Sequence, residues 1–338
     1  MRRVVFPEAH KAVMTECEIP KCGDGQVLLK LRRVGVCGTD IQVFSGKNRF
    51  MTFPIVPFHE GIATAVEVGK GVTSVKPGDT ICVRPIIACH NCYPCRHGKV
   101  NACENFNSLG VQSDGLGSEY FVIDEEYCPK VSPDLPLDEA ILIEPFAVGV
   151  HAARRGDVAG KKVLVVGAGT IGNFVAQAAQ LLGAEKVAIC DLSEEKVEMA
   201  RKAGIAAPVN SSGKTIREVV AEAFGSEPAD VIIDCVGAKV LFQQILDAAV
   251  KTSTIVIVGN YSENVELNVA QIQRNELNVL GNITYNRDDF ETAIRLFEER
   301  RVYVKDYITA RYRIEQIQEG MDQAVTGKAH NMKTIFDY

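Results

Sequence analysis

Residues 161–196 read KKVLVVGAGTIGNFVAQAAQLLGAEKVAICDLSEEK and determine the expected architecture more than any other segment. An apolar run, KKVLVV, leads into the glycine-rich sequence GAGTIG, and an alanine-rich segment with helical spacing follows. A second apolar run, KVAICD, ends in an acidic residue, Asp191. Strand, glycine-rich turn, helix and strand in this order are typical of a dinucleotide-binding βαβ unit in a parallel sheet.

The glycines have a physical role in such a unit. They allow a tight turn and let a pyrophosphate approach the N-terminus of the following helix, where unpaired N–H groups and the helix dipole favour anions. The Asp191 carboxylate can accept hydrogen bonds from both adenosine ribose hydroxyls and would repel a 2′-phosphate. No arginine follows it immediately, so we predict NAD rather than NADP. The structural alternatives are a glycine turn that only packs helix on strand and an aspartate that only caps a helix.

Apolar runs and helical segments continue to alternate from residue 150 to about 283, as in DVIIDCVG and TIVIVGN. Continuously apolar strands between helices are typical of a parallel, doubly wound sheet. Residues 1 to about 145 differ, because short runs such as QVLLKLRRVGV and GIATAVEVGKGV are separated by Gly and Pro turns. That pattern predicts a partly open β-barrel. After about residue 284 we expect two helices, a strand between them and a strand at the end.

The composition is that of an ordinary globular protein. Its 338 residues suggest about two domains, and 46% of them are hydrophobic, which is enough for a sizeable core. The net charge of −6 offers no basic surface for nucleic acid or an anionic membrane, so a small-molecule partner is favoured. No apolar run is long enough to span a bilayer, and the N-terminus does not resemble a signal peptide. We therefore expect a cytoplasmic protein whose eleven cysteines are free or bound to metal.

The segment CHNCYPCRHGKVNAC, residues 89–103, is expected to hold a metal ion. Four thiolates at this spacing suit tetrahedral zinc and close its coordination shell, which is typical of a structural site. Iron–sulfur ligation is the alternative, since it uses similar spacings. Four unligated cysteines in an exposed loop would be prone to oxidation. His90 and His97 are expected to be neighbours rather than ligands. The four expected ligands are Cys89, Cys92, Cys95 and Cys103.

Ligand-type residues also occur in three separate segments. VGVCGTD contains Cys37, PFHEGIA contains His59 and Glu60, and LIEPFAVGVHAA contains Glu144. Each has a structural alternative: a small buried cysteine, a hydrogen-bonded core histidine, or a carboxylate that stabilises the start of a helix. Residue patterns alone do not show whether these segments meet in space.

The order of these segments resembles that of a known family. VGVCGTD, then PIVPFHEGIA, the four-cysteine segment, EPFAVGVHAA and VLVVGAGTIG together are similar to the zinc-dependent medium-chain dehydrogenase/reductases, in particular the sorbitol, threonine and sugar-acid dehydrogenase branch. The resemblance covers essentially the whole chain. It implies an α/β protein with a GroES-like β-barrel catalytic domain over 1–149 and 284–338, which includes a structural zinc lobe at 89–103. A doubly wound Rossmann coenzyme domain over 150–283 would be inserted into it.

The resemblance places a catalytic zinc at Cys37, His59 and Glu60, with Glu144 as a further ligand or as an acceptor through water. The alcohol dehydrogenase branch has a second cysteine at the position of Glu144. One thiolate plus one carboxylate would neutralise Zn²⁺ as two thiolates do. With the cysteine lobe, this makes two zinc ions per chain. The residues expected to contact NAD are Gly167, Gly169, Thr170, Ile171, Gly172, Asp191, Lys196, Gly237 and Gly259.

The proton route differs from the usual pattern of the family. Thr39 matches the family's relay hydroxyl, and the structural alternative is a strand threonine bonded to the backbone. The family usually has a histidine five residues after the ligand cysteine. Gln42 stands here instead, and its amide cannot carry a proton by titrating near neutrality. The hydroxyl proton is therefore expected to leave through water, Glu60, Glu144 or the ribose.

Two further positions concern the substrate. Phe58 replaces the usual glycine before the ligand histidine and is expected to add bulk beside the metal and narrow the pocket. In sorbitol dehydrogenase an arginine and a tyrosine of the matching segment, GNITYNRDD, contact the substrate. Here Thr284 takes the arginine position and Tyr285 keeps the tyrosine, either as a substrate contact or as ordinary packing.

The predicted activity is oxidation of a secondary alcohol of a polyol, sugar acid or related hydroxylated metabolite by NAD and zinc. An L-threonine 3-dehydrogenase-like or 2,3-butanediol-type dehydrogenase is the alternative within the family, although Gln42 weakens the threonine interpretation. A non-catalytic dinucleotide-binding protein is the alternative from another class. A zinc-independent quinone reductase is disfavoured, because such enzymes lack both metal sites. The resemblance also predicts a homo-oligomer, with a tetramer favoured over a dimer.

Overall fold

The computed structural model of the protein describes residues 1–327 and 332–338. The chain forms two compact units. The first comprises residues 1–144, 293–300 and 304–338, and the second comprises residues 145–292 and 301–303. The N-terminal part and the C-terminal tail therefore share one unit.

The first unit is built on a seven-stranded sheet in which a long central strand, β3, has three antiparallel neighbours. Its N-terminal elements are β1 (Arg2–Glu8), β2 (Lys11–Glu16), β3 (Gln26–Val36), α1 (Gly38–Phe44), β4 (Glu60–Val68), β5 (Thr80–Cys82), β6 (Ile86–Ile87), α2 (Tyr93–Arg96), β7 (Asn107–Ser108), β8 (Tyr120–Asp124), β9 (Lys130–Val131) and α3 (Leu137–Ala140). Two 3₁₀ turns span Val100–Ala102 and Glu125–Tyr127.

The second unit is an alternating strand–helix array. Its elements are α4 (Ile143–Arg155), which begins at the end of the first unit, β10 (Lys162–Val166), α5 (Thr170–Leu181), β11 (Lys186–Asp191), α6 (Glu194–Lys202), β12 (Ala207–Asn210), α7 (Ile216–Phe224), β13 (Val231–Asp234), α8 (Lys239–Ala248), β14 (Thr254–Ile257), α9 (Val269–Arg274) and β15 (Asn278–Gly281). Helix α10 (Arg287–Glu298) then leads back to the first unit, which ends with β16 (Ile308–Arg313), a 3₁₀ turn at Ile314–Gln316, α11 (Ile317–Thr326) and β17 (Lys333–Asp337).

The large sheet of the first unit has the order β16-β17-β3-β4-β5-β9, with β8 also pairing with β3. Among the described residues, the two end strands β16 and β9 are not hydrogen-bonded to each other, so the sheet is the partly open barrel that the strand pattern predicts. The core contains four phenylalanines without solvent exposure: Phe6, Phe44, Phe58 and Phe336. Because β17 and β4 flank β3, the C-terminal strand lies beside the metal-ligand segments of the N-terminal part.

The second unit contains a six-stranded sheet of order β12-β11-β10-β13-β14-β15, and every described pair in it is parallel. The apolar run that ends β10 is buried throughout, as expected for a strand covered on both faces. The strand order reverses between β10 and β13. In such sheets a ligand binds at the carboxyl ends of the strands beside this reversal. The fold is therefore of the Rossmann type, as the sequence predicts.

Within the described residues, every helix is either too short or too polar to serve as a membrane span.

Candidate metal centres and dinucleotide site

The four cysteines of the lobe converge. Among the described residues, the sulfur atoms of Cys89, Cys92, Cys95 and Cys103 all lie within 4.8 Å of one another. The Cys103 sulfur is 3.5 Å from that of Cys89 and 3.9 Å from that of Cys92. Local turns achieve this, because α2 begins directly after Cys92 and the 3₁₀ turn at Val100–Ala102 ends directly before Cys103.

The lobe also favours thiolate formation at one position. Backbone N–H groups of Asn91 and Cys92 donate to the Cys89 sulfur and lower its pKa to about 6. Burial, followed by hydrogen bonds with Cys92 and Cys103, raises the pKa of Cys95 to about 12. Sulfurs this close cannot all be ionised without a cation among them, since like charges disfavour one another. Four sulfur donors and this geometry fit a closed tetrahedral zinc site.

A second group of ligand atoms is assembled from distant segments. One ligand atom each from Cys37, His59 and Glu60 lie within 4.8 Å of one another. Cys37 directly follows β3, and Glu60 is the first residue of β4. These two strands pair with Gly35 opposite Glu60, so the end of one strand meets the beginning of the other. Antiparallel pairing therefore brings Cys37 close to His59 and Glu60, although they are far apart in the sequence.

Asp40 organises this centre, although it belongs to none of the predicted ligand positions. Its Oδ2 accepts the Cys37 N–H at 2.7 Å, which forms the cap of α1. Its Oδ1 is 3.4 Å from Nδ1 of His59. Both atoms are buried, and within the described part of the chain neither meets the geometry of a hydrogen bond, so the contact is mainly electrostatic. Burial lowers the pKa of His59, but the charge and polar side chain of Asp40, followed by the Cys37 sulfur, outweigh it and hold the pKa well above its usual value.

The position of the Asp40 carboxylate beside Nδ1 of His59 is the arrangement that a metal-ligating histidine needs. A ligating histidine usually presents its second ring nitrogen, as N–H, to a carboxylate or carbonyl, which fixes the tautomer. With Nδ1 facing Asp40, the other nitrogen, Nε2, is left to serve as the ligand atom. The donors present, sulfur and imidazole nitrogen with carboxylates nearby, are those that zinc prefers, so the residues fit a zinc ion.

Glu60 is bound to a buried lysine that the sequence motifs do not predict. Lys333 Nζ donates to Glu60 Oε1 at 2.6 Å, to Oε2 at 2.7 Å and to the Val36 carbonyl at 3.2 Å. Glu60 has no exposed surface and Lys333 is 4% exposed, so the ion pair is inside the protein. A side chain on Gly35 would collide with the Glu60 carboxylate, which explains glycine at that position. In the sequence, Lys333 is marked only by its position directly before the strand residues TIF.

Glu144 lies in the first turn of α4 and is 6% exposed. Its charge contributes to the raised pKa of Lys333 and to the raised pKa of the Cys82 thiol, so it lies close to both groups. Among the described residues, the compact set of ligand atoms contains Glu60 rather than Glu144. Three of the four predicted ligands of the catalytic zinc therefore converge, and Glu144 lies beside them.

Thr39 and Gln42 lie on α1 and are half-buried. Thr39 is in the first turn of this helix, so the alternative of a strand threonine does not apply. Gln42 accepts backbone hydrogen bonds through its own carbonyl from Lys47 and Asn48. Thr39 lies two residues after Cys37, which occupies the N-cap position of α1.

The expectation that Phe58 narrows the substrate pocket is corrected by its orientation. Phe58 has a φ of +75°, an unusual value for a residue with a side chain. Its ring has no exposed surface and lies 6.2 Å from the Phe6 ring and 5.7 Å from the Phe336 ring. Because the backbone turns at this residue, its side chain fills the barrel core instead of a pocket.

Tyr285 is also buried, with 2% exposure, and its ring lies 5.4 Å from that of Phe290. Within the second unit, this position favours the packing role of Tyr285 over a substrate contact. Thr284, beside it, has a positive φ of 42° and a buried hydroxyl oxygen.

The glycine-rich turn has the expected backbone. Gly167 has a φ of +98°, and a side chain on Gly172 would collide with the Gly167 carbonyl. Gly169 caps α5, whose helical residues begin at Thr170 and include Ile171. These positions therefore need glycine for the turn and for close packing, as a phosphate-binding turn does.

Asp191 ends β11 and reaches back to this turn. Its Oδ2 accepts the Ala168 N–H at 2.8 Å, and its Oδ1 accepts the Ser193 N–H at 2.9 Å. Lys196 lies on α6, in its first turns, and is half-buried. The carboxylate is therefore held at the carboxyl edge of the sheet, where each oxygen retains a further lone pair for a ribose hydroxyl.

Gly237 and Gly259 follow β13 and β14 and touch each other. A side chain on Gly237 would come within 2.7 Å of the Gly259 carbonyl carbon. The buried Asp234 joins the same two loops: its Oδ1 accepts the Val236 N–H at 2.9 Å, and its Oδ2 accepts the Tyr261 hydroxyl at 2.6 Å. Both glycines thus have a packing role at the edge where the cofactor is expected.

Comparison with known proteins agrees with the geometry of both units. Residues 23–133 match the family described as alcohol dehydrogenase GroES-like domain, and residues 170–299 match the family described as zinc-binding dehydrogenase. L-threonine 3-dehydrogenase of Escherichia coli (strain K12) is 30% identical over 329 residues, which cover 96% of each chain. The chain belongs to the zinc-dependent medium-chain dehydrogenase/reductase family.

Solved structures of similar proteins have the same fold. Galactitol-1-phosphate dehydrogenase from Escherichia coli superimposes with a TM-score of 0.91 at 28% identity, covering 100% of both chains. The structure of 2R,3R-butanediol dehydrogenase from Bacillus subtilis gives a TM-score of 0.90 at 28% identity, covering 100% of this chain and 99% of that one. As a zinc-dependent medium-chain dehydrogenase, this chain is an oxidoreductase.

Proposed function

We propose that this dehydrogenase oxidises a secondary alcohol of a polyol, sugar acid or related hydroxylated metabolite to the ketone, with NAD and a zinc ion held by Cys37 and His59. The observation that carries the proposal is the convergence of Cys37, His59 and Glu60, backed by Asp40 behind the histidine. The names of three relatives, which act on threonine, galactitol 1-phosphate and 2,3-butanediol, all denote substrates with a secondary alcohol.

The charges around the centre are compatible with zinc bound by Cys37, His59 and Glu60, with Glu144 as a further ligand or as an acceptor through water. Lys333 neutralises Glu60 through both carboxylate oxygens. The Cys37 thiolate and the Glu144 carboxylate then balance the two charges of Zn²⁺. Zinc bound there supplies a Lewis acid that lowers the pKa of a substrate hydroxyl, and NAD supplies the hydride acceptor.

The surrounding side chains have defined tasks. Asp40 holds the His59 ring by the nitrogen that is not needed for the metal. The substrate loses the hydrogen on its alcohol carbon as hydride and the hydroxyl hydrogen as a proton. Thr39, in the first turn of α1, is the group we assign to pass that proton towards water. Gln42 cannot take over the step by titration, so the route past Thr39 depends on water, Glu60, Glu144 or the ribose.

NAD, rather than NADP, is the proposed cofactor. The Asp191 carboxylate at the end of β11 is held by two backbone N–H groups. Such a carboxylate accepts ribose hydroxyls and repels a 2′-phosphate. The cysteine lobe is proposed to hold a second, structural zinc.

Two alternatives are weighed against this proposal. An L-threonine 3-dehydrogenase-like or butanediol-type activity is supported by the relatives, whereas Gln42 at the relay position disfavours the first. A non-catalytic dinucleotide-binding protein would be expected to have lost a ligand residue. Here Cys37, His59, Glu60 and Glu144 are all present, and the first three converge.

A substrate panel tests the proposal. The purified protein is assayed with polyols, sugar acids, threonine and 2,3-butanediol, each with NAD and with NADP, by the formation of reduced cofactor. We expect turnover of at least one polyol or sugar acid and a preference for NAD. Turnover of threonine alone would replace the substrate class, and no turnover of any secondary alcohol by the zinc-loaded protein would contradict the proposal.

Replacement of Asp191 tests the cofactor separately. Because Asp191 also supports the turn at Ala168, Asp191→Asn is a better test than Asp191→Gly, since an amide oxygen still accepts one N–H. The ratio of kcat/KM for NAD to that for NADP should fall in both variants. An unchanged ratio in Asp191→Asn would overturn the role of the charge.

We further propose a cytoplasmic homo-oligomer, with a tetramer favoured over a dimer, as in the branch that the sequence resembles. All eleven cysteines are free of disulfide bonds, which is typical of a reducing compartment. Sedimentation equilibrium of the purified protein measures the oligomeric state, and a monomer would contradict this expectation.

A further inference from the structure

Asn173 is a polar residue in the buried stretch of α5. It lies in the first turns of α5, where Phe174, Val175 and Ala176 follow it, and it has no exposed surface. Its Nδ2 donates to the Ala168 carbonyl at 2.6 Å and to the Gly169 carbonyl at 3.3 Å. Within the described part of the chain, its Oδ1 is buried without a hydrogen-bond partner.

The two carbonyls bound by Asn173 belong to the glycine-rich turn. A trans peptide bond places the N–H of one residue opposite to the carbonyl of the residue before it. With the carbonyls of Ala168 and Gly169 directed at Asn173, the N–H groups of Gly169 and Thr170 are directed away from it. They therefore face out of the first turn of α5, where a helix N-terminus accepts an anion.

Asp191 holds the other side of the same turn. Its Oδ2 accepts the Ala168 N–H, while Asn173 donates to the Ala168 carbonyl. Residue 168 is thus fixed at both of its polar backbone groups by two side chains, one from β11 and one from α5. A turn held in this way loses little conformational freedom when it binds a ligand, and preorganisation of this kind increases affinity.

We propose that Asn173 is a positioning residue for the dinucleotide: it aligns the backbone N–H groups of the turn with the cofactor pyrophosphate. This inference rests on the proposed dinucleotide binding and concerns how the turn achieves it. Asn173 does not touch the cofactor itself and acts through the peptides of Ala168 and Gly169.

The unpartnered Oδ1 argues against a purely structural role. A buried acceptor without a partner costs free energy, and an apolar side chain of the same shape avoids that cost. Leucine has nearly the shape of asparagine and a higher helix propensity. If only stability mattered, leucine would serve better at position 173.

The experiment compares Asn173→Leu with Gln177→Leu. Gln177 lies one turn later on the same helix, is 3% exposed, and its side-chain amide both donates to and accepts from the backbone of Tyr303. Dissociation constants for NADH and NADPH are measured by nucleotide fluorescence in the absence of substrate, together with Tm. A third variant, Asn173→Asp, keeps the shape of the side chain and removes both donor hydrogens.

Asn173→Leu and Asn173→Asp should weaken binding of the preferred nucleotide by about three- to tenfold, the effect of losing one or two net hydrogen bonds. KM for the cofactor should rise in proportion in the Leu variant, with kcat at saturation within about twofold of the wild type. Its Tm should stay level or rise. Gln177→Leu should lower Tm and leave the dissociation constant unchanged.

Three outcomes would overturn the inference. An unchanged dissociation constant in Asn173→Leu would remove the positioning role. A loss of affinity that accompanies an equal fall of Tm in both leucine variants would show a general loss of stability. Failure of the wild type to bind either nucleotide would overturn both the inference and the proposed cofactor. The titration of the wild type alone reveals this outcome.

Discussion

The cysteine lobe and the centre around Cys37 use opposite strategies to prepare a place for metal. The lobe contributes all four ligands from residues 89–103, and its sulfurs converge through local turns. The other centre takes its ligand groups from β3, β4 and the start of α4, and its supporting lysine from β17. The first arrangement depends on local spacing, and the second depends on the whole first unit being folded.

The charges of the two regions differ as well. In the lobe, four sulfur atoms lie close together, so all four can ionise only if a cation binds among them. Around Cys37 the carboxylates already have partners: Lys333 binds Glu60, and Asp40 faces His59. We infer that metal holds the lobe together, whereas the catalytic centre keeps its shape through protein ion pairs.

The largest expected effect concerns the Glu60–Lys333 ion pair. Lys333→Met leaves a buried carboxylate without a partner, which typically costs about 3–5 kcal/mol of unfolding free energy. Urea unfolding measures the loss. The matched control is Lys130→Met, because the pair between Lys130 and Asp79 is 3.8 Å long and half of the lysine side chain is exposed.

That control should change stability by less than about 1 kcal/mol. The double variant Glu60→Leu/Lys333→Met should recover most of the stability, since neither charge is then left buried alone. If Lys333→Met cost no more than the control, the catalytic centre would not depend on this ion pair.

The next effect concerns Asp40. Asp40→Asn keeps the shape of the side chain but removes the charge facing His59, and loss of such a partner typically costs 10- to 100-fold in metal affinity or activity. Competition with a chelator measures zinc affinity, and the zinc of the lobe serves as the internal control. We expect one zinc to be lost more readily and the other to be unaffected; equal weakening of both would contradict the distinction between the two sites.

The smallest effect concerns the thiol of Cys89. Its pKa of about 6 means that, in the metal-free protein, the reactive thiolate forms as the pH rises through about 6. An unperturbed thiol ionises near about 8.5. Peptide mapping after brief alkylation at a series of pH values should show Cys89 reacting first, with zinc protecting it. A midpoint near 8.5 would show that the N–H groups of Asn91 and Cys92 do not prepare this sulfur.

Much of the fold followed from local sequence patterns. The βαβ unit at 161–196 was predictable because continuous apolar runs and a glycine-rich turn depend on short-range geometry. The cysteine lobe was predictable for the same reason. The partly open barrel followed from alternating runs between Gly and Pro turns.

The centre around Cys37 was only partly predictable. Cys37, His59 and Glu60 were found through resemblance, because their approach depends on strand pairing that no local pattern shows. Lys333 was missed because its partner lies at the other end of the chain, on the far side of β3. The prediction that Phe58 narrows the substrate pocket was wrong, because its ring is buried against Phe6 and Phe336 in the barrel core.

Metal counting in two variants tests the central claim most directly. Zinc per chain, Tm and turnover of the best substrate are measured for the wild type, Cys37→Ala and Cys103→Ala. We predict about two zinc ions for the wild type, from one closed and one open site. Cys37→Ala should lose one zinc and roughly three orders of magnitude in turnover at nearly unchanged Tm, whereas Cys103→Ala should lose the other zinc and lower Tm. Full turnover in Cys37→Ala would contradict the account.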